Sequence, residues 1–138
     1  MKKKLDKILI IDDSEADVFI MKRIINKAEV TNNIITAFGA QEALEYLSQK
    51  IEGCYPKPNI VLLDINMPNM SGWEFLDEYE KLDKEMKAGE IICMITTSKD
   101  PSERDRAKRF NIVDDFTHKP LTKEKLMEII EENFPQYV

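Results

Sequence analysis

The chain has 138 residues, a length that suits one folded domain, and its content of 43% hydrophobic and 33% charged residues argues against disorder. Its formal net charge of −6 argues against non-specific nucleic-acid binding, which depends on lysine and arginine to neutralise phosphates. Because no apolar run approaches the roughly 20 residues of a membrane-spanning helix and no secretory signal is recognisable, the sequence predicts a cytoplasmic protein that binds neither membrane nor nucleic acid.

Five short apolar runs alternate with five amphipathic segments. Several runs are continuous aliphatic stretches, which is typical of strands buried on both faces of a parallel sheet. The predicted strands cover residues 7–11, 33–37, 59–63, 90–95 and 113–117. The predicted helices begin after Ser14, after Gly39, at Gly72, at Pro101 and after Thr122. This alternation predicts a doubly wound α/β sheet in a single domain over residues 1–138, with its core at about 7–133.

Polar side chains follow four of the predicted strands. The carboxyl ends of parallel strands meet at one edge of a sheet, where ligands bind in folds of this kind. We therefore expect these side chains to lie close together. The residues concerned are Asp12 and Asp13 after the first strand, Asp64 after the third, Thr96, Thr97 and Ser98 after the fourth, and Lys119 after the fifth.

The three carboxylates predict a Mg²⁺ site. Converging acids repel one another unless a cation compensates, and hard oxygen ligands suit Mg²⁺. Asp13 and Asp64 are the natural direct ligands, while Asp12 could act through a water molecule. The alternative is that Asp12 and Asp13 only cap the first helix, since aspartate is favourable at a helix start.

An aspartate carboxylate can also accept a phosphoryl group. The transfer needs cations that neutralise the transferred oxygens, and Mg²⁺ and Lys119 would supply them beside Asp64. The Thr96 hydroxyl can donate a hydrogen bond to a phosphoryl oxygen. These residues alone therefore favour phosphoryl chemistry at Asp64.

Four stretches of the chain, residues 8–14, 62–72, 94–96 and 119–120, resemble the signature stretches of bacterial response-regulator receiver domains. The likeness covers nearly the whole chain and is greatest to single-domain receivers of the chemotaxis type. It implies a flavodoxin-like fold, in which a five-stranded parallel sheet of order 2-1-3-4-5 carries five helices.

The resemblance also implies a role for each matching residue. Asp64 would be the phosphoacceptor, Asp12 and Asp13 the acidic pocket, and the backbone carbonyl of Asn66 a further Mg²⁺ ligand. Lys119 would pair with the phosphoryl group, and a cis bond would follow it. Phe116 stands at the family's aromatic switch position, and the alternative is a plain core aromatic at a strand end.

The position of the switch hydroxyl is open between two neighbours. The strand pattern favours Thr96, whereas counting back from Lys119 by the family's usual interval reaches Thr97. An extra residue near 110–113 would explain the mismatch. Ser98 lies close enough in sequence to take part.

The expected function is that of a phosphorylation-controlled binding module rather than an enzyme, with at most weak autodephosphorylation through a water near Asn66 and Ser98. A sensor histidine kinase or a histidine phosphotransfer protein would supply the phosphoryl group. Output would pass to an unknown protein through the fourth predicted helix, the fifth strand and the fifth predicted helix, because no output domain follows them. A phosphatase with an aspartyl intermediate is disfavoured by Asn66, which replaces the acid such enzymes use. A flavin-binding protein is disfavoured because Asp12 and Asp13 would repel a phosphate.

Overall fold

A computed structural model of the chain describes residues 4–87 and 91–135. Within these residues the strands are β1 (Ile8–Ile11), β2 (Ile34–Ala37), β3 (Ile60–Asp64), β4 (Ile91–Thr96) and β5 (Val113–His118). The helices are α1 (Glu15–Ala28), α2 (Ala40–Leu47), α3 (Gly72–Glu80), α4 (Lys84–Lys87), α5 (Pro101–Lys108) and α6 (Lys123–Asn133). The expected start of the fourth strand at Glu90 and both ends of the expected domain, 1–3 and 136–138, lie outside the described residues.

The five strands form one sheet in the order β2-β1-β3-β4-β5, and every neighbouring pair is parallel. The predicted doubly wound, flavodoxin-like sheet is therefore confirmed. The prediction of five helices missed α4, whose single turn is too short to show a helical period in the sequence.

Each face of the sheet carries a separate apolar layer. Successive side chains of a strand point to opposite faces, so Leu9 and Ile11 pack in one layer while Ile8 and Ile10 pack in the other. The first layer includes residues of α2 and α3, and the second includes residues of α1 and α6. All four β1 side chains are fully buried, which is why this run is aliphatic without alternation.

Side-chain caps fix where several helices begin. Ser14 accepts a hydrogen bond from the Asp17 amide, and Thr122 accepts one from the Lys125 amide, as expected from their cap positions. Ser71 and Glu74 form a reciprocal capping box at α3. The cap of α5 is Asp100, so this helix begins at Pro101 as expected, and it ends at Lys108, one residue before the expected end at about Arg109.

A β-bulge lies at Asp114 within β5, directly after the stretch 110–113 where the sequence led us to expect an extra residue. Val113 pairs with Ile92 and Asp115 pairs with Cys93, so Asp114 is an additional residue that shifts the register of the two strands. The Asp114 carboxylate accepts a hydrogen bond from the Ile92 amide at 3.0 Å. The bulge is stabilised by the neighbouring strand and leaves no local sequence pattern.

Candidate functional site

The strand register brings the acidic residues to one edge of the sheet. Ile11 pairs with Leu63 across β1 and β3, so Asp12 and Asp64 follow at corresponding positions. Asp13 comes next, ahead of α1. One carboxylate oxygen from each of these three aspartates lies within 4.8 Å of the others. The structure therefore forms the acidic cluster that the strand ends predict.

Lys119 enters this cluster from the end of β5. Its Nζ lies 2.8 Å from Asp12 Oδ2 and 3.3 Å from Asp64 Oδ1. Burial works to lower the pKa of Lys119, but hydrogen bonds to Asp12 and Asp17 outweigh it and raise the pKa above the ordinary lysine value. The ammonium therefore stays charged at physiological pH. The Lys119–Pro120 peptide bond is cis, as expected.

Asp64 is buried beside other acids, which changes its ionisation. Its pKa is raised from 3.8 to about 6, chiefly by burial and then by the charge of Asp12, while Lys119 partly opposes the shift. The carboxylate is therefore less stable in its charged form than an exposed aspartate. A divalent cation at the cluster would favour the ionised form.

Asp12 lies in the acidic cluster and also contacts the residue that caps α1. Its Oδ1 accepts a hydrogen bond from the Ser14 amide at 2.9 Å, which helps to order the start of α1. Its Oδ2 accepts one from Lys119 at 2.8 Å. Both oxygens are thus engaged, while the neighbouring Asp13 is exposed. Ser14 caps α1, and Asp12 orders the Ser14 backbone while it belongs to the acidic cluster.

Gly72 lets α3 approach the backbone of the Asp64 residue. A Cβ at Gly72 would lie 2.6 Å from the Asp64 carbonyl oxygen and 2.9 Å from Ile65 Cα. The Gly72 amide donates a hydrogen bond to the Ile65 carbonyl at 2.8 Å, which closes the loop between them. Asn66 lies exposed within this loop. The absence of a side chain at Gly72 therefore sets the position of the loop that follows Asp64.

The two candidate switch hydroxyls at the end of β4 differ in their burial. Thr96 is fully buried, and its carbonyl accepts a hydrogen bond from the Lys119 amide at 2.8 Å. Thr97 is exposed and lies at a cavity on the α1 side of Lys119. The Ser98 amide donates a hydrogen bond to the Thr96 hydroxyl oxygen at 3.0 Å.

Phe116 lies on the α5 side of the sheet. Its ring is largely buried, and the Arg104 guanidinium lies 5.2 Å from the ring centroid. His118 is exposed and meets the Phe116 ring edge-on at 5.8 Å between centroids. The ring is therefore turned towards the core in this structure.

Sequence reasoning did not identify Asp17 as a site residue. Its Oδ2 lies 2.7 Å from Lys119 Nζ, in the first turn of α1. The available signal was its spacing from Met21, one helical turn later, which is buried against the core. That spacing predicts that Asp17 faces the sheet edge, but an acid in a first helical turn is ordinarily explained by the helix dipole.

Fold and site together define a class: a doubly wound α/β protein with an acidic cluster and a lysine beyond the carboxyl ends of its strands. Residues 8–131 match the family model of the response regulator receiver domain. The chain therefore belongs to the response regulator receiver domains of two-component signalling.

Similar proteins agree with this assignment. The probable methanogenesis regulatory protein FilR2 of Methanothrix harundinacea is 29% identical over 91% of this chain and 79% of its own length. The hybrid signal transduction histidine kinase L of Dictyostelium discoideum is 26% identical over 93% of this chain, which spans only 7% of that protein. The crystal structure of a two component response regulator from Cytophaga hutchinsonii is 28% identical with a TM-score of 0.84, covering 96% of this chain and 99% of that chain.

Among the described helices, none has the length and apolar character needed to cross a membrane.

Proposed function

We propose that Asp64 accepts a phosphoryl group with the help of Mg²⁺, and that the phosphorylated form signals by binding another protein. The observation that carries this proposal is the position of Asp64, whose carboxylate lies beside two further aspartates and 3.3 Å from an ammonium. An anionic group transferred to Asp64 would meet a cation that is already in place. A single buried carboxylate without neighbouring acids and an ammonium would not offer this combination of metal ligands and positive charge.

The donor set fits Mg²⁺, which takes carboxylate, carbonyl and water oxygens. Asp13 and Asp64 would bind it directly, and the backbone carbonyl of Asn66 would be a further ligand. Asp12 would act through water, because both of its oxygens already have hydrogen-bond donors. Bound there, Mg²⁺ would neutralise charge on the transferred oxygens.

Phosphoryl transfer at Asp64 forms a bond between a carboxylate oxygen and phosphorus while the bond from phosphorus to the donor breaks. Lys119 would pair with one phosphoryl oxygen and neutralise part of its charge. The Thr96 hydroxyl would donate a hydrogen bond to another. The Thr96 carbonyl accepts a hydrogen bond from the Lys119 amide, and β4 pairs with β5, which carries Phe116. A movement of Thr96 would therefore be passed through β5 to the α5 side of the sheet.

The acceptor role is tested by incubating the protein with Mg²⁺ and acetyl phosphate and measuring its intact mass. The wild type should gain the mass of one phosphoryl group, and Asp64→Asn should gain none. A matched control is Asp77→Asn in α3, an aspartate outside the site, which should behave as the wild type does. The proposal fails if the wild type neither gains the phosphoryl group nor binds beryllofluoride.

The proposed role is signalling, with little turnover. Asn66 can neither donate nor accept a proton as the acid of an aspartyl-intermediate phosphatase does, so only slow loss of the phosphoryl group to water is expected. Rapid hydrolysis of a generic phosphate ester would contradict this. The proposed donor is a sensor histidine kinase or a histidine phosphotransfer protein, and the kinase relative above supports a link to that chemistry.

The proposed output surface is formed by α5, β5 and α6. Basic residues of α5 lie on an acidic protein, and Arg104 and Lys108 border a cavity of about 200 Å³ that also meets Phe116. Such a surface favours an acidic partner. Arg106 is also exposed on α5, and its guanidinium lies 4.6 Å from the Trp73 ring centroid.

Amide chemical shifts recorded before and after addition of beryllofluoride with Mg²⁺ test this surface without a known partner. Beyond the acidic site, the largest changes should lie in α5 and β5, while α2 serves as an internal reference with small changes. Changes confined to the residues around Asp64 would contradict an output surface here.

A further inference from the structure

Asp17 contacts Lys119 but has no part in the phosphoryl transfer described above. Its oxygen lies 2.7 Å from Lys119 Nζ, against 2.8 Å for Asp12 and 3.3 Å for Asp64. It belongs to α1, whereas the other two acids follow the strands β1 and β3. The Asp17 amide is bonded to the Ser14 cap at 3.2 Å, so the helix start holds this residue in place.

The ammonium of Lys119 can donate three hydrogen bonds, and three carboxylates surround it. Asp12 and Asp17 accept hydrogen bonds from the ammonium, while the Asp64 oxygen lies further away at 3.3 Å. A phosphoryl group on Asp64 would replace the Asp64 contact, and its oxygens would then compete with Asp12 and Asp17 for the ammonium. Loss of the Asp12 contact would leave a buried charge unpaired, since only 1% of its side chain is accessible. The Asp17 side chain is 34% accessible, so water can replace its contact at lower cost.

We propose that Asp17 is a positioning residue that competes with the phosphoryl group for Lys119. In the unphosphorylated protein it holds the ammonium on the α1 side, and a phosphoryl group on Asp64 must draw the ammonium against this attraction. This inference rests on the proposed function. Asp17 therefore lowers the affinity of the site for the phosphoryl group. Without Asp17, the remaining site residues would bind that group more tightly.

Loss of Asp17 should change the affinities for the two ligands of the site in opposite directions: the affinity for Mg²⁺ should fall, and the affinity for the phosphoryl group should rise. Without Asp17, Lys119 is left with Asp12 and Asp64, where it competes more strongly with Mg²⁺ for their oxygens. Once Mg²⁺ is saturating, however, the ammonium is free to bind the phosphoryl group. Damage to the fold of α1 would weaken the binding of both ligands. Affinity changes of opposite sign therefore distinguish competition for Lys119 from a structural role of Asp17.

The test compares Asp17→Asn with Glu15→Gln, which removes the same charge from the same turn of α1. Glu15 is exposed and makes no ion pair with any residue in the described part of the chain. The probes are Mg²⁺ alone and beryllofluoride at saturating Mg²⁺, both followed by calorimetric titration. Acetyl phosphate with intact-mass measurement gives the phosphorylation rate.

Asp17→Asn should bind beryllofluoride about fivefold more tightly than the wild type, the size expected for release of one partly exposed ion pair. Its Mg²⁺ affinity should fall by about twofold or more. Glu15→Gln should change either affinity by less than about twofold, since it affects only the general field. In a Lys119→Met background, Asp17→Asn should alter Mg²⁺ affinity no more than Glu15→Gln does, because Asp17 acts through Lys119.

If the wild type binds beryllofluoride but Asp17→Asn binds it equally or more weakly, the competition is overturned while the proposed function stands. The same conclusion follows if Glu15→Gln matches Asp17→Asn, or if the effect on Mg²⁺ persists without Lys119. If the wild type binds no beryllofluoride and takes up no phosphoryl group, the proposed function is overturned and this inference with it.

Discussion

Gly72 has a larger effect on the acceptor loop than its size suggests. Replacement by alanine would place a Cβ 2.6 Å from the Asp64 carbonyl oxygen, so α3 and the loop would have to move apart. We expect Gly72→Ala to lower the free energy of unfolding by about 2 kcal/mol, as for other overpacked sites. Mg²⁺ affinity should fall as well, because the displaced backbone carries Asp64. Urea unfolding and Mg²⁺ titration measure the two effects.

Gly39 supplies the matched control for this substitution. It precedes α2 at the same end of the sheet, and a Cβ there would meet no atom within 4 Å. Gly39→Ala should lower the free energy of unfolding by less than about 1 kcal/mol and leave Mg²⁺ binding unchanged. Equal losses in the two variants would show that the close approach of Gly72 does not position the loop.

Among the elements, β5 depends on its bulge for its position against β4. The Asp114 carboxylate accepts the Ile92 amide hydrogen bond at the point where the register shifts. Asp114→Ala should therefore lower the free energy of unfolding by about 1 kcal/mol, because this amide loses its partner. Asp114→Asn keeps an acceptor oxygen and should cost less. Urea unfolding of the three proteins checks the order, and equal stability of Asp114→Ala and the wild type would contradict it.

The elements also show which features a sequence can reveal. The third strand was predicted at 59–63 and lies at Ile60–Asp64, because an aliphatic run that ends in an acid marks both burial and the sheet edge. The meeting of Asp12, Asp64 and Lys119 follows from parallel topology alone. The bulge at Asp114 and the contact of Asp17 with Lys119 depend on a neighbouring strand and on the rotation of α1, which no local pattern specifies.

At the scale of the whole molecule, the acidic cluster should reduce stability when no metal is bound. The pKa of Asp64 is raised from 3.8 to about 6, so the folded protein binds a proton more tightly than the unfolded chain does. Stability from this group is therefore greatest at low pH and is lost as the pH rises through about 6. At neutral pH the ionised carboxylate is a cost to the fold.

Asparagine resembles the protonated acid, so Asp64→Asn should remove this cost. At pH 7 without Mg²⁺ we expect the variant to be more stable than the wild type by about 2 kcal/mol, and the difference should disappear towards pH 4. Saturating Mg²⁺ should reduce this difference in stability or reverse its sign, because Mg²⁺ binding to the folded wild type stabilises it by mass action. Thermal unfolding across pH, with Mg²⁺ and with a chelator, measures both effects. A variant that is no more stable than the wild type at pH 7 in chelator would show that burial of the charged Asp64 does not weaken the fold.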